Sequence, residues 1–91
     1  MSRHNLQKKE NLMARIIDTE RKNIIGSTLK RLRESKNLSQ KDLSVKLELL
    51  GVYVCRGSIS RIEDYSRTVT DIELYALATA LGVGIQDLLE V

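Results

Sequence analysis

The stretch that most constrains this chain is residues 38–63, LSQKDLSVKLELLGVYVCRGSISRIE. Leu43, Leu47 and Leu50 recur at i, i+4 and i+7, the spacing of a buried stripe on one side of a helix. Ser39 stands just before that run with Asp42 three residues on, a capping pair that also sets negative charge at the positive helix end. Gly51 is placed as a left-handed terminator, so this helix extends through Leu50. Val52, Tyr53 and Val54 then lengthen the connection beyond the usual ~3–4 residues. Their β-branched character favours an extended, partly buried link. A second helix follows Cys55, which occupies its N-cap position although cysteine caps poorly. Ile59 and Ile62 lie on one side of it, and Arg56, Gly57, Ser58, Ser60 and Arg61 on the other. Two short helices held at an angle, the second with a polar, arginine-bearing face, leave the rest of the chain to act as support.

The flanking segments read as such supports. Residues 23–37 predict a first helix with Ile25, Leu29 and Leu32 as a narrow apolar stripe and Asn37 as its stop. Lys30, Arg31, Arg33 and Lys36 fill the rest of its surface, as a solvated face or as cations turned to phosphate. Thr70 with Glu73 is a T-x-x-E capping box. The helix it opens has a wide apolar band of Ile72, Leu74, Tyr75, Leu77, Ala78 and Leu81, with Gly82 as terminator. In a last short helix Ile85, Leu88 and Leu89 cap the core or meet a partner chain. The absence of proline leaves all these helices uninterrupted, and the absence of Trp and Phe makes the core aliphatic. The expected fold is all-α, a five-helix domain over residues 23–91. A basic polar arm, residues 1–22, precedes it; Leu6, Met13 and Ile17 share one side of a helical wheel, so the arm is either partly helical or extended.

Charge and chemistry narrow the function. Residues 1–36 hold ten Lys/Arg against four acids, and residues 68–91 hold four acids and no base. Such a gradient suits a chain that lays one face against a polyanion. A solitary cysteine closes no internal disulfide, which fits a reducing cytoplasm. No apolar run approaches the ~20 residues of a membrane span. An enzyme needs a positioned nucleophile, acid–base pair or metal. The one histidine, His4, sits in the polar arm with no ligand cluster beside it. Gly82-Val83-Gly84 follows no strand and lacks the third glycine of a nucleotide fingerprint. Cys55 has no neighbouring His or second Cys to make it a catalytic thiol, and reads more simply as a small half-buried group. No enzyme activity, cofactor or metal is expected.

The polar residues around 38–67 suit double-stranded DNA instead. The first N–H groups after Ser39 and the side-chain amide of Gln40 can grip a phosphate. The Arg56 guanidinium matches guanine O6/N7 or a phosphate, Gly57 permits close approach, and Ser58 offers a short donor and acceptor. Ser60 and Arg61 follow about one helical turn later, within reach of the same groove. Arg67 beyond the helix and Lys30 on the first helix are placed for the DNA backbone. Tyr53 is either structural or a hydroxyl donor to phosphate.

With these residues in place, residues 24–90 resemble the Cro/phage-repressor (lambda-repressor-like) helix-turn-helix DNA-binding family. The likeness lies in L-K-R-L-R (29–33), L-S-Q-x-D-L (38–43), R-G-S-I-S-R-I-E (56–63) and the run from Thr70 to Leu89. It implies a sequence-specific transcriptional regulator, a repressor that binds a two-fold-related operator as a homodimer, in the bacterial or phage-encoded, nucleoid-associated cytoplasmic setting of that family. It also implies that Gln40 and Cys55 anchor phosphates, that Arg56, Gly57, Ser58 and Arg61 face bases, and that the loop at Ser66 and Arg67 touches the backbone. This chain departs from the family in its longer turn and in Gly57, which removes a side chain from a usual reading position. Readout then rests on Arg56, Arg61 and DNA shape. A second reading stands beside the first: an antitoxin or adaptor that holds a protein partner through arm 1–22.

Overall fold

The computed structural model describes residues 19–90. Within them are five helices: α1 Gly26–Ser35, α2 Gln40–Leu49, α3 Arg56–Glu63, α4 Asp71–Leu81 and α5 Ile85–Leu88. The expected all-α, five-helix architecture is what the chain adopts. Most helix ends have a local cause. Asn37 (φ 57°) turns the chain after α1. At α2 the Ser39 hydroxyl accepts from the Asp42 N–H and the Asp42 carboxylate accepts from the Ser39 N–H, both at 2.9 Å. That helix ends one residue before Leu50, which is its C-cap, and Gly51 follows at φ 82°. Thr70 and Glu73 make the second reciprocal cap at α4, which Gly82 ends at φ 70°.

The helices close around aliphatic side chains. α3 packs on α1 and α2, α4 packs on α2, and α5 on α4. Leu29, Leu43, Leu47, Ile59, Ile62, Leu77 and Leu88 are fully buried where these elements meet. Each such side chain stabilises the fold by ~1.5–3 kcal/mol relative to exposure. The Thr28 hydroxyl donates to the Glu90 carbonyl at 3.0 Å, bringing the segment just after the last helix back to the first.

Three expectations are corrected. Leu50 is 47% exposed, because the helix has ended and the apolar stripe of α2 ends with it at Leu47. Ile72 and Tyr75 also face solvent: α4 turns Ala76, Leu77, Ala78 and Leu81 inward, so its apolar band is narrower than the sequence suggests. Arg33 is not a surface cation. It is 7% exposed, with Nε 2.7 Å from Glu63 Oε2 and Nη2 3.1 Å from Glu63 Oε1. Its Nη1 donates to the Leu38 carbonyl at 2.7 Å, and the Gln40 amide donates to Glu63 at 3.0 Å. The pair with Glu63 raises the Arg33 pKa further, against the opposing effect of burial. Leu6, Met13, Ile17, His4 and Val91 lie outside the described residues.

A second junction joins the start of α1 to the end of α3. A Cβ on Gly26 would lie 2.7 Å from the Ile62 carbonyl oxygen and 2.8 Å from that of Glu63, so only glycine permits this approach. Around it, Asn23 Nδ2 donates to the carbonyls of Ile62 (3.0 Å) and Arg67 (2.8 Å), and the Lys22 N–H donates to the Tyr65 carbonyl at 3.0 Å. The Tyr65 hydroxyl accepts from the Ser27 N–H and donates to the Ser27 hydroxyl, while the Arg21 guanidinium lies 4.1 Å from the Tyr65 ring centre.

Two stability outcomes follow. Arg33→Ala leaves Glu63 buried without its partner and should lower the unfolding free energy by about 3–5 kcal/mol in urea melts. The paired change Arg33→Met with Glu63→Leu should recover most of that loss. Gly26→Ala should cost about 1–3 kcal/mol through overpacking, although alanine is the better helix former.

Candidate nucleic-acid interface

α3 divides cleanly because its residues repeat at helical spacing. Ile59, Ile62 and Glu63 are buried, whereas Arg56, Gly57, Ser60 and Arg61 are exposed, and Ser58 is half-buried at the border. Five residues expected to meet bases thus lie together on one helix surface. Arg56 at the leading end makes no hydrogen bond or ion pair with any described residue. Arg61 folds back along the helix, and its Nη2 donates to the Ser58 hydroxyl at 3.2 Å. The leading turn of α3 and the side of α2 formed by Lys41, Val45 and Glu48 border an open groove.

The residues expected at phosphates divide into two groups. Ser39, Cys55 and Lys30 are exposed, which corrects the expectation of a half-buried Cys55: at the N-cap its side chain lies outside the packed face of α3. Ser39 is committed as a cap acceptor but keeps its hydroxyl proton to donate. Cys55 precedes α3 with extended backbone (φ −71°, ψ 165°), and its Sγ lies 3.4 Å from the Ser58 hydroxyl. The neutral thiol donates to Ser58, and once ionised it accepts from the Ser58 hydroxyl and N–H, side chain first, which holds its pKa below the usual value. The other three have internal partners. Gln40 uses one amide N–H on Glu63 and has a second left. The Ser66 hydroxyl bonds Asp64 and the Arg61 carbonyl. Arg67 forms a bidentate pair with Glu73 at 3.0 and 2.9 Å and donates to the Thr68 carbonyl. It staples the loop after α3 to the start of α4. Tyr53 is 79% exposed on the α2–α3 connection, which removes the reading of it as a packed residue; Val54 beside it is buried instead.

The family model for helix-turn-helix proteins matches residues 29–88. The chain belongs to the Cro/C1-type helix-turn-helix family. It is also similar to the restriction-modification controller protein C.AhdI from Aeromonas hydrophila, with 31% identity and a TM-score of 0.62. That match covers 70% of this chain and 86% of the other. No curated protein sequence matches. As a Cro/C1-type helix-turn-helix protein the chain is a DNA-binding regulator of transcription, with α2, the connection 50–55 and α3 as its helix-turn-helix unit. Among the described residues no helix is long and apolar enough to cross a membrane, and no cluster of His, Cys, Asp or Glu could hold a metal ion.

The residues that orient this unit escaped a reading of surface charge. Yet Arg33 extends the series Ile25, Leu29 at i+4, and Glu63 follows Ile59 at i+4. Two opposite charges that each continue a buried stripe are a legible sign of an internal ion pair. No comparable signal marks Asn23 or Gly26.

The Arg67 guanidinium, with help from Thr70, holds the Glu73 carboxyl below its ordinary value near 4.5, while burial opposes this. A depressed folded pKa gives stability that is present above the ordinary value and lost as pH falls through the folded one. Unfolding free energy should therefore decline below about pH 4.5, and Glu73→Gln should flatten that decline in melts run at successive pH values. Asp42, lowered chiefly by the Ser39 N–H, acts in the same direction and leaves a remainder.

Proposed function

We propose that the chain is a sequence-specific repressor that binds a two-fold-related operator as a homodimer and blocks polymerase by occupying the site. The single observation that carries this is the exposed face of α3: two arginines on a helix whose opposite face is buried, with Arg56 at its leading end making no hydrogen bond or ion pair among the described residues. A helix so presented enters the major groove with its first residues at base edges. In this reading Arg56, Gly57, Ser58, Ser60 and Arg61 face bases. Ser39, Gln40, Cys55, Ser66 and Lys30 meet phosphates, and Arg67 supports the same contact by fixing the loop around Ser66. The half-sites lie about 34–36 Å apart, one turn of DNA. Residues 1–22 form an arm to the domain 23–91, and the protein acts in the cytoplasm of a bacterial or phage-infected cell. Similarity to a controller of restriction and modification fits a regulator of this size.

Selection of binding sites from random duplex DNA tests motif, symmetry and spacing together. A palindromic motif is expected, and recovery of no enriched sequence overturns the proposal. Arg61→Ala should cost roughly 1–3 kcal/mol on the selected site and relax one position in each half. Lys30→Ala should weaken all sequences alike and reduce the slope of log affinity against log salt by about 1.

A further inference from the structure

Ser58 differs from its neighbours on the reading face. Its hydroxyl oxygen lies 3.4 Å from Cys55 Sγ and 3.2 Å from Arg61 Nη2, and both groups donate to it. A hydroxyl has two acceptor lone pairs and one proton. Both acceptor positions of Ser58 are therefore occupied, and the residue is half-buried. The geometry of Arg61 has an ordinary cause. Long helical side chains lean back over the preceding turn, where the residue three before is a neighbour. This carries the guanidinium toward the leading turn of α3, the part that enters a groove. Gly57 leaves that path open. A Cβ there would stand 3.4 Å from Arg61 Nη1, an ordinary contact, but a longer side chain would occupy the place of the guanidinium.

Resting on the DNA-binding reading above, we propose that Ser58 is a positioning residue that presents Arg61 in advance as a guanine-reading fork, with Gly57 as the clearance that lets it lie there. One of the five guanidinium N–H groups is held by Ser58, and four remain for the bidentate bond to guanine O6 and N7. Part of the rotamer entropy of arginine is surrendered on folding rather than on binding, which favours the complex. The missing side chain at position 57 is then no loss of a reader. It is the condition for the reader at position 61.

Two measurements on the full chain test this. In free protein, 15N relaxation of the Arg61 Nε–Hε group should show an ordered side chain that becomes mobile in Ser58→Ala and recovers in Ser58→Thr. In competition binding, Ser58→Ala should lower the preference for guanine about fivefold, at the same operator position that Arg61→Ala relaxes. Gly57→Gln should lose the preference, because its side chain takes the place of the Arg61 guanidinium. The proposal is overturned by an equally ordered Arg61 in Ser58→Ala, by a loss at a different position, or by Gly57→Gln that reads as wild type. Wild-type protein with no site preference would overturn the DNA reading and the guanine role with it, while the relaxation result still judges whether Ser58 orients Arg61.

Discussion

The buried pair of Arg33 and Glu63 is the constraint on which the rest depends. Taking two charges out of water costs several kcal/mol per ion, and an ion pair offsets this only when the geometry is good and the remaining polar atoms are satisfied. Here both conditions hold: two parallel bonds join the side chains, Arg33 also serves the Leu38 carbonyl, and Glu63 also accepts from Gln40. The pair therefore gathers α1, the bend before α2, the start of α2 and the end of α3 at one point. Leucines could hold the same helices together, but apolar contact has no preferred direction. Hydrogen bonds have one, and here they set the angle at which α3 leaves the domain.

The polar side chains elsewhere are largely committed to the same end. Of the acids in the last third of the chain, Glu73 caps α4 and pairs with Arg67, and Asp87 accepts from the Gly84 N–H at 2.8 Å. The charge gradient along the chain thus has a structural component as well as an electrostatic one. Asn23, Tyr65 and Arg67 fasten the segment before α1 and the loop after α3 to each other. Among the described residues, Arg56 at the leading end of α3 and the exposed Lys30 and Lys41 keep free of such commitments.

Local signals in the sequence carried most of the fold. Both capping boxes, the glycine ends at 51 and 82, and the stripes of Ile25–Leu29, Leu43–Leu47 and Ile59–Ile62 each depend on residues within one or two turns of each other. Apolar periodicity runs past the helix end at Leu50, and at Ile72 and Tyr75 it does not reveal which face of the helix the neighbouring elements cover. The candidate surface on α3 is legible only as a set of exposed residues, since Arg56, Gly57, Ser60 and Arg61 fall at helical spacing opposite Ile59 and Ile62. The commitments of Gln40 and Arg67 are not legible, because their partners lie on other elements: Glu63 is 23 residues from Gln40 and reaches it only when α2 and α3 are packed. Gly26 is the extreme case. The atoms that require it to be glycine are backbone oxygens near residue 62, which no side-chain pattern records.

The contact at Gly26 also makes α3 a lever. Its rear end is gripped by directional bonds and by the backbone of α1, while Val54 and Ile59 steady its leading turns through apolar contact alone. An eight-residue helix is about 12 Å long, so a tilt of about 10° at the rear displaces the tip by about 2 Å. That is more than the tolerance of a hydrogen bond to a base edge. A change at the junction of α1 and α3 that leaves the protein folded can therefore shift the leading end of α3 without touching any residue on its exposed face.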